Sequence, residues 1–136
     1  MASRNTGDVL VDRVADAINA IKTHEMVGRR ECVVYSTKLI KKIMDALKRE
    51  GYINGYSEYT EGAAKMLRID LSNRINSIGV IKPRFKVSKN DITKYESRYV
   101  PSKDMGTLII TTSKGILTSK EAAQQNVGGR LLAYVY

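Results

Sequence analysis

The sequence is poor in the residues from which small catalytic and metal centres are built. It has one cysteine, Cys32, and one histidine, His24, in 136 residues. A lone cysteine cannot close an internal disulfide, which suits a reducing compartment. One histidine and one cysteine also fall short of the ligand set of a structural zinc site. No apolar run approaches the ~20 residues needed to span a bilayer. Asp8, Asp12 and Asp16 interrupt the apolar core that an N-terminal signal peptide would require. A soluble cytoplasmic chain with no membrane partner is expected.

Catalysis finds little support in what remains. Cys32 and His24 could pair as a thiol–imidazole nucleophile, but they flank a basic loop, and a buried strand cysteine with a solvent-facing histidine is the simpler reading. Asp8, Asp12 and Asp16 fall at i, i+4 and i+8, a solvated helix face rather than a cation site. Ser113-Lys114-Gly115 lacks the flanking glycine and the Gly-Lys-Ser/Thr order of a phosphate loop. No catalytic residue, metal or cofactor is expected.

What the chain does have is positive charge. Lys and Arg total 23 against 14 Asp and Glu, a formal net charge of +9. That excess favours polyanionic partners and steered association. Residues 22–50 and 82–103 carry nearly all of it, so two basic patches are expected. Apolar residues make up 43% of the chain, enough for a packed core.

Periodicity divides the chain into two small α/β (α+β) subdomains, at residues 1–72 and 73–136. Val11, Val14, Ile18 and Ile21 predict a first amphipathic helix, with Asp8 and Asp12 near its positive end. Residues 23–30 read as a loop. Glu31–Tyr35 reads as a short strand built on Val33 and Val34. Ser36 fits an N-cap for a helix burying Leu39, Ile40, Ile43, Met44 and Leu47, and Gly51 stands where a left-handed terminator belongs. Tyr52–Tyr59 and Lys65–Leu71 read as a hairpin turning at Glu61-Gly62, completing an α-β-α-β-β half. Tyr35, Tyr52, Tyr56 and Tyr59 fall in strand-like segments and are expected in or near the core.

The second half is mostly β with one short helix. Ile78–Lys82 is strand-like, and Pro83 ends it or marks an edge. Residues 84–104 are irregular, with a possible helical turn at Asp91–Tyr95. Thr107–Thr112 is β-rich, and Ser113-Lys114-Gly115 turns. Thr118-Ser119-Lys120-Glu121 matches a capping box opening a short helix; Gly128-Gly129 breaks that helix, and Arg130–Tyr136 alternates as a strand.

The turn is the most informative segment. Small hydroxyl side chains, one lysine and one glycine on a stiff sheet suit a partner read by shape and 2′-hydroxyls, which is how RNA is recognised. Lys114 adds a charge for phosphate, and the basic windows supply sequence-independent affinity. Tyr95 and Tyr99 could stack on unpaired bases. A basic DNA-binding or chromatin-associated module would also explain the charge, but no reading helix lined with base-contacting Arg and Asn is present.

Specific motifs sharpen this. Thr111-Thr112-Ser113-Lys114-Gly115-Ile116-Leu117, with Glu121-Ala122 and Gly128-Gly129 downstream, resembles the small-subunit ribosomal protein S-eight family. Gly51-Tyr52-Ile53 after a basic helix, Lys38-Leu39-Ile40 at that helix's start, and Asp8 with Asn19-Ala20 also fit. Ile81-Lys82-Pro83-Arg84-Phe85, Tyr99-Val100-Pro101-Ser102 with Gly106, and the ending from Gly128 to Tyr136 resemble its archaeal or eukaryotic form, the ending specifically the archaeal one.

The resemblance covers nearly the whole chain and implies a non-enzymatic structural protein of the cytoplasmic ribosome. It implies direct binding to an irregular helix in the central domain of small-subunit ribosomal RNA, beside neighbouring small-subunit proteins, as an early assembly step. Some relatives also bind their own messenger RNA. The implied RNA-contacting residues are Thr111, Thr112, Ser113, Lys114 and Gly115 of the turn, with Lys82, Arg84, Tyr99 and Arg130. Ser36, Lys38 and Asp8 of the first half are implied to touch backbone. The chain departs from the family pattern at Arg130, where bacterial relatives carry an acidic residue, so phosphate pairing is expected there. It departs again at Val9 and Tyr35, where the family often has proline.

Overall fold

The computed structural model describes the backbone of residues 2–102 and 104–136 and the side chains of residues 13–102 and 104–136. The chain forms two compact units, Met1–Arg74 and Ile75–Tyr136. Each combines helices with antiparallel strands, so the fold is α+β as expected.

In the first unit, helix α1 (Ala2–Met26) and helix α2 (Lys38–Arg49) accompany strands β1 (Glu31–Tyr35), β2 (Ile53–Glu61) and β3 (Ala64–Leu71). The sheet runs β1-β3-β2 and is antiparallel throughout. Val14, Ile18 and Ile21 of α1 are buried, following the three- and four-residue spacing that predicted the helix. The expected loop at residues 23–30 begins only after Met26. Glu25, 8% exposed, holds the last helical turn by accepting the Asn73 amide at 3.2 Å. Because the helix starts at Ala2, Asp8 and Asp12 lie beyond its first turn, and their side chains are outside the described residues.

Helix α2 buries Ile40, Ile43, Met44, Ala46 and Leu47, while Leu39 is only half-buried. Its N-cap is Thr37, whose hydroxyl accepts the Ile40 amide at 3.1 Å. The expected cap, Ser36, instead donates its hydroxyl to a Glu58 carboxylate oxygen. Gly51 does terminate the helix in the left-handed region, with φ +81. On β1 the buried face is Cys32 and Val34; Val33 and Tyr35 point outward, at 43% and 53% exposure, contrary to the core placement expected for Tyr35.

The second unit holds β4 (Ile78–Val80), β5 (Lys86–Val87), α3 (Ile92–Tyr99), β6 (Thr107–Thr112), β7 (Gly115–Thr118), α4 (Ser119–Gln125) and β8 (Gly129–Val135). The sheet order is β4-β8-β6-β7, and β5 also pairs with β8. Three elements correct the sequence reading. The irregular stretch contains the short strand β5 and the full eight-residue helix α3, and a strand, β7, separates the turn from α4. The capping box is present: Thr118 Oγ1 accepts the Glu121 amide at 3.2 Å, and a Glu121 carboxylate oxygen accepts the Thr118 amide at 2.9 Å. Helix α4 ends on Asn126 in the left-handed region, not on the glycine pair. Ile110 and Leu131, paired across β6 and β8, are both 0% exposed and anchor the core on one sheet face. Each contributes about 2 kcal/mol by leaving water.

Candidate nucleic-acid interface

Strands β6 and β7 form a tight hairpin closed by the pair Thr112 and Gly115, with Ser113 and Lys114 as its loop. A loop this short leaves backbone groups unpaired unless a side chain meets them. Thr112 does so. Its hydroxyl donates to the Gly115 carbonyl at 2.8 Å and accepts the Lys114 amide at 3.1 Å. Gly115 takes φ +107, a region that other residues enter only with strain. The turn is thus held from within, and the Ser113 and Lys114 side chains are left exposed at its tip.

A cross-strand row lies just behind the tip. Lys86 pairs with Arg130, Arg130 with Thr111, and Thr111 with Ile116, in register across β5, β8, β6 and β7. Directly paired residues project from the same face of a sheet, so two exposed cations and a hydroxyl share the face beside the turn. Neither Lys86 nor Lys114 forms an ion pair with another described residue. Close packing keeps the row together: a Cβ at Gly129 would lie 2.0 Å from the Thr111 carbonyl oxygen, and one at Gly128 would lie 2.4 Å from that of Val87. Only glycine lets β8 approach its neighbours this closely.

The structure therefore brings together Thr111, Thr112, Ser113, Lys114, Gly115 and Arg130. Arg84 joins them, its carbonyl facing an Arg130 guanidinium nitrogen at 3.5 Å. Lys82 is exposed on the segment that runs beside β8, where the Ile81 amide donates to Leu132 at 3.0 Å and the Leu131 amide to Phe85 at 2.9 Å. Lys86 was missed by sequence reasoning, because its strand is two residues long and carries no periodic signal.

Other expected site residues stand differently. Tyr99 is half-buried against the core, its ring stacked at 5.8 Å on Tyr134. Tyr95 packs on Phe85 at 5.9 Å, with the Arg98 guanidinium 5.2 Å from its ring centre. Both rings already have internal partners. Ser36 and Lys38 belong to the first unit. Lys38 is exposed in the first turn of α2, whereas the Ser36 hydroxyl is engaged by Glu58, which also meets Lys41 Nζ at 3.3 Å. The Ser36 hydrogen bond, with Lys41 second, holds the Glu58 carboxyl below the usual carboxylate range. Asp8 lies outside the described side chains.

Cys32 is 1% exposed, and burial pushes its thiol up to about 11, so it is protonated and unreactive at neutral pH. His24 is half-buried in the last turns of α1, its Nδ1 2.7 Å from the Ala20 carbonyl oxygen, rather than solvent-facing on a loop. No cluster of three potential metal ligands occurs among the described residues.

Residues 12–136, which include every element from the body of α1 to β8, match the family model described as Ribosomal protein S8. The chain belongs to the ribosomal protein S8 family. It is 43% identical over 126 residues to the small ribosomal subunit protein uS8 of Thermoplasma volcanium, covering 92% of this chain and 98% of that relative. The match agrees with the archaeal character of the Gly128–Tyr136 segment. As a ribosomal protein S8 family member the chain is a structural, non-enzymatic constituent of the cytoplasmic ribosome.

Proposed function

We propose that this chain binds an irregular helix in the central domain of small-subunit ribosomal RNA, and that the hairpin tip of the second unit makes the discriminating contact. One observation carries the reading: the turn satisfies its own backbone through Thr112, so the Ser113 hydroxyl and the Lys114 ammonium remain free for a ligand. A hydroxyl and a cation on a short, rigid projection fit a shallow minor groove lined by 2′-hydroxyls. The Lys86–Arg130 row beside the tip supplies phosphate contacts. Held this way, the RNA helix is fixed early in small-subunit assembly, and neighbouring proteins dock afterwards. A messenger carrying the same distorted helix would compete for the tip.

The test is a filter-binding comparison on the isolated RNA helix. Ser113→Ala with Lys114→Ala removes one hydrogen bond and one phosphate contact, together about 2 kcal/mol, or roughly 30-fold in affinity. Lys41→Ala with Lys42→Ala, in the first unit, is expected to cost only a few-fold. Equal losses from the two pairs, or equal competition by perfect duplex DNA, would show general basic attraction and refute a reading turn.

A further inference from the structure

We infer that the free edge of β1 is a second interaction surface, which takes an extended segment of another protein as an added strand. The inference rests on the ribosomal function proposed above for its setting, and on the geometry of the first unit for its chemistry.

β1 is the terminal strand of its sheet. The Leu71 amide donates to the Arg30 carbonyl at 2.8 Å, and the Ser36 amide donates to the Lys65 carbonyl at 2.9 Å. In the β1–β3 register these contacts belong to the same alternating set as Cys32 with Ile69 and Val34 with Leu67. Antiparallel pairing alternates strictly, so the backbone N–H and C=O of Glu31, Val33 and Tyr35 point away from β3. Among the described residues no backbone group meets them there. Open edges of this kind are usually blunted by charge, proline or a covering element.

The side chains of the same residues complete the surface. Val33 and Tyr35 are exposed on one face, two residues apart. A cleft of about 200 Å³ runs between this strand and α1, lined by Arg13, Asp16, Ala17 and Ala20 on the helix side. The Arg13 guanidinium lies 4.9 Å from the Tyr35 ring centre. An added strand would pair with three residues' backbone groups and set apolar side chains against Val33 and Tyr35, the arrangement of strand addition. Charge selects the class of partner. The strand itself carries Glu31 and no Lys or Arg. Beside it, Arg13 and Arg68 are offset by Asp16 and by Glu31, which lies 3.9 Å from Arg68. The cations that could hold a polyanion, Arg29 and Arg30, therefore precede the open edge rather than line it. Tyrosine, arginine and aliphatic side chains around an open backbone edge suit a protein strand with apolar residues at alternate positions.

The experiment uses the whole chain in a reconstituted small subunit, with the photoreactive residue p-benzoylphenylalanine in place of Tyr35. Irradiation is expected to link that position to an extended segment of one ribosomal protein, identified by mass spectrometry. Val33→Pro removes an outward N–H and leaves the β3 ladder intact, as proline on an edge strand can; it is expected to lower the cross-link yield roughly five- to tenfold. Hydrogen exchange on the unmodified chain provides an independent reading. The Val33 and Tyr35 amides should exchange about tenfold or more slowly in the subunit than in the free chain. Links only to RNA or to a second copy of this chain, no links, or unchanged exchange would overturn the inference. Co-sedimentation with the subunit is scored separately. If the chain fails to enter the particle, the proposed function falls and takes this inference with it; entry without a protein link sinks the inference alone.

Discussion

Replacing Gly129 with alanine tests whether the close approach of β8 to β6 holds the reading hairpin in place. The added Cβ would stand 2.0 Å from the Thr111 carbonyl oxygen and 3.1 Å from Ile110 Cγ2. Carbon–oxygen contacts settle near 3.3 Å or beyond, so the strands must separate by more than ~1 Å. The closest contact cannot yield by rotating a side chain, because the Thr111 oxygen is backbone. Separation breaks the ladder at the pairs Thr112–Gly129 and Thr111–Arg130. Two lost backbone bonds at about 1 kcal/mol each, with at least 1 kcal/mol of overpacking, give about 3 kcal/mol. In a domain of roughly 60 residues this lowers the melting temperature by about 12–24 °C. Thermal unfolding followed by circular dichroism measures it, with Gly62→Ala as the comparator. Gly62 has φ +63 but no atom within 4 Å of its notional Cβ, so only backbone strain of about 1 kcal/mol is expected there. If Gly129→Ala costs no more than Gly62→Ala, the strands are not in the contact described, and the rigid support of the turn fails as an explanation.

Two further outcomes follow from single side chains. Thr112→Val keeps the shape of the side chain but loses both hydroxyl contacts; exchange of the Lys114 amide should quicken, and RNA affinity should fall severalfold even though the hydroxyl is turned inward. Unchanged affinity would mean that the tip needs no internal brace. Tyr56 donates to an Asp45 carboxylate oxygen at 2.7 Å, and that bond, aided by burial and by the charges of Asp45 and Glu58, pushes its phenol up to about 12 from 10.0. A raised folded pKa means that the bond stabilises the first unit fully below about pH 10 and that this contribution is lost as pH climbs from 10 to 12. Asp45→Asn should return the Tyr56 midpoint, read from phenolate absorbance, towards 10; a midpoint that stays near 12 refutes the assignment.

Elements whose signals are local were legible in the sequence. The apolar stripe of α2, the Gly51 terminator and the capping box at Thr118 each rest on residues within one or two turns of each other. The reading failed where distant residues decide. The end of α1 is held by Glu25 reaching Asn73, 48 positions away, which no local pattern can reveal. Ser36 and Thr37 are both competent caps, and Glu58 on β2 captures the first and leaves the role to the second. Strand β7 is four residues between a turn and a capping box, too short for alternation to register. At the candidate site the hairpin tip could be seen from composition, whereas the inward use of the Thr112 hydroxyl and the partnership of Lys86 with Arg130 emerge only from the register.

Because Thr112 and Gly115 close the hairpin from beneath, the two side chains at its apex carry no duty in folding. What constrains Ser113 and Lys114 is therefore the ligand alone, and exchanging either should alter recognition while melting behaviour stays constant. The positions that brace the apex answer to a different demand, since a change at Thr112, Gly115 or Gly129 damages the scaffold before it can alter the ligand. Ser113 and Lys114 should accordingly stay fixed for as long as the nucleic acid they face does, kept by recognition above a foundation kept by folding.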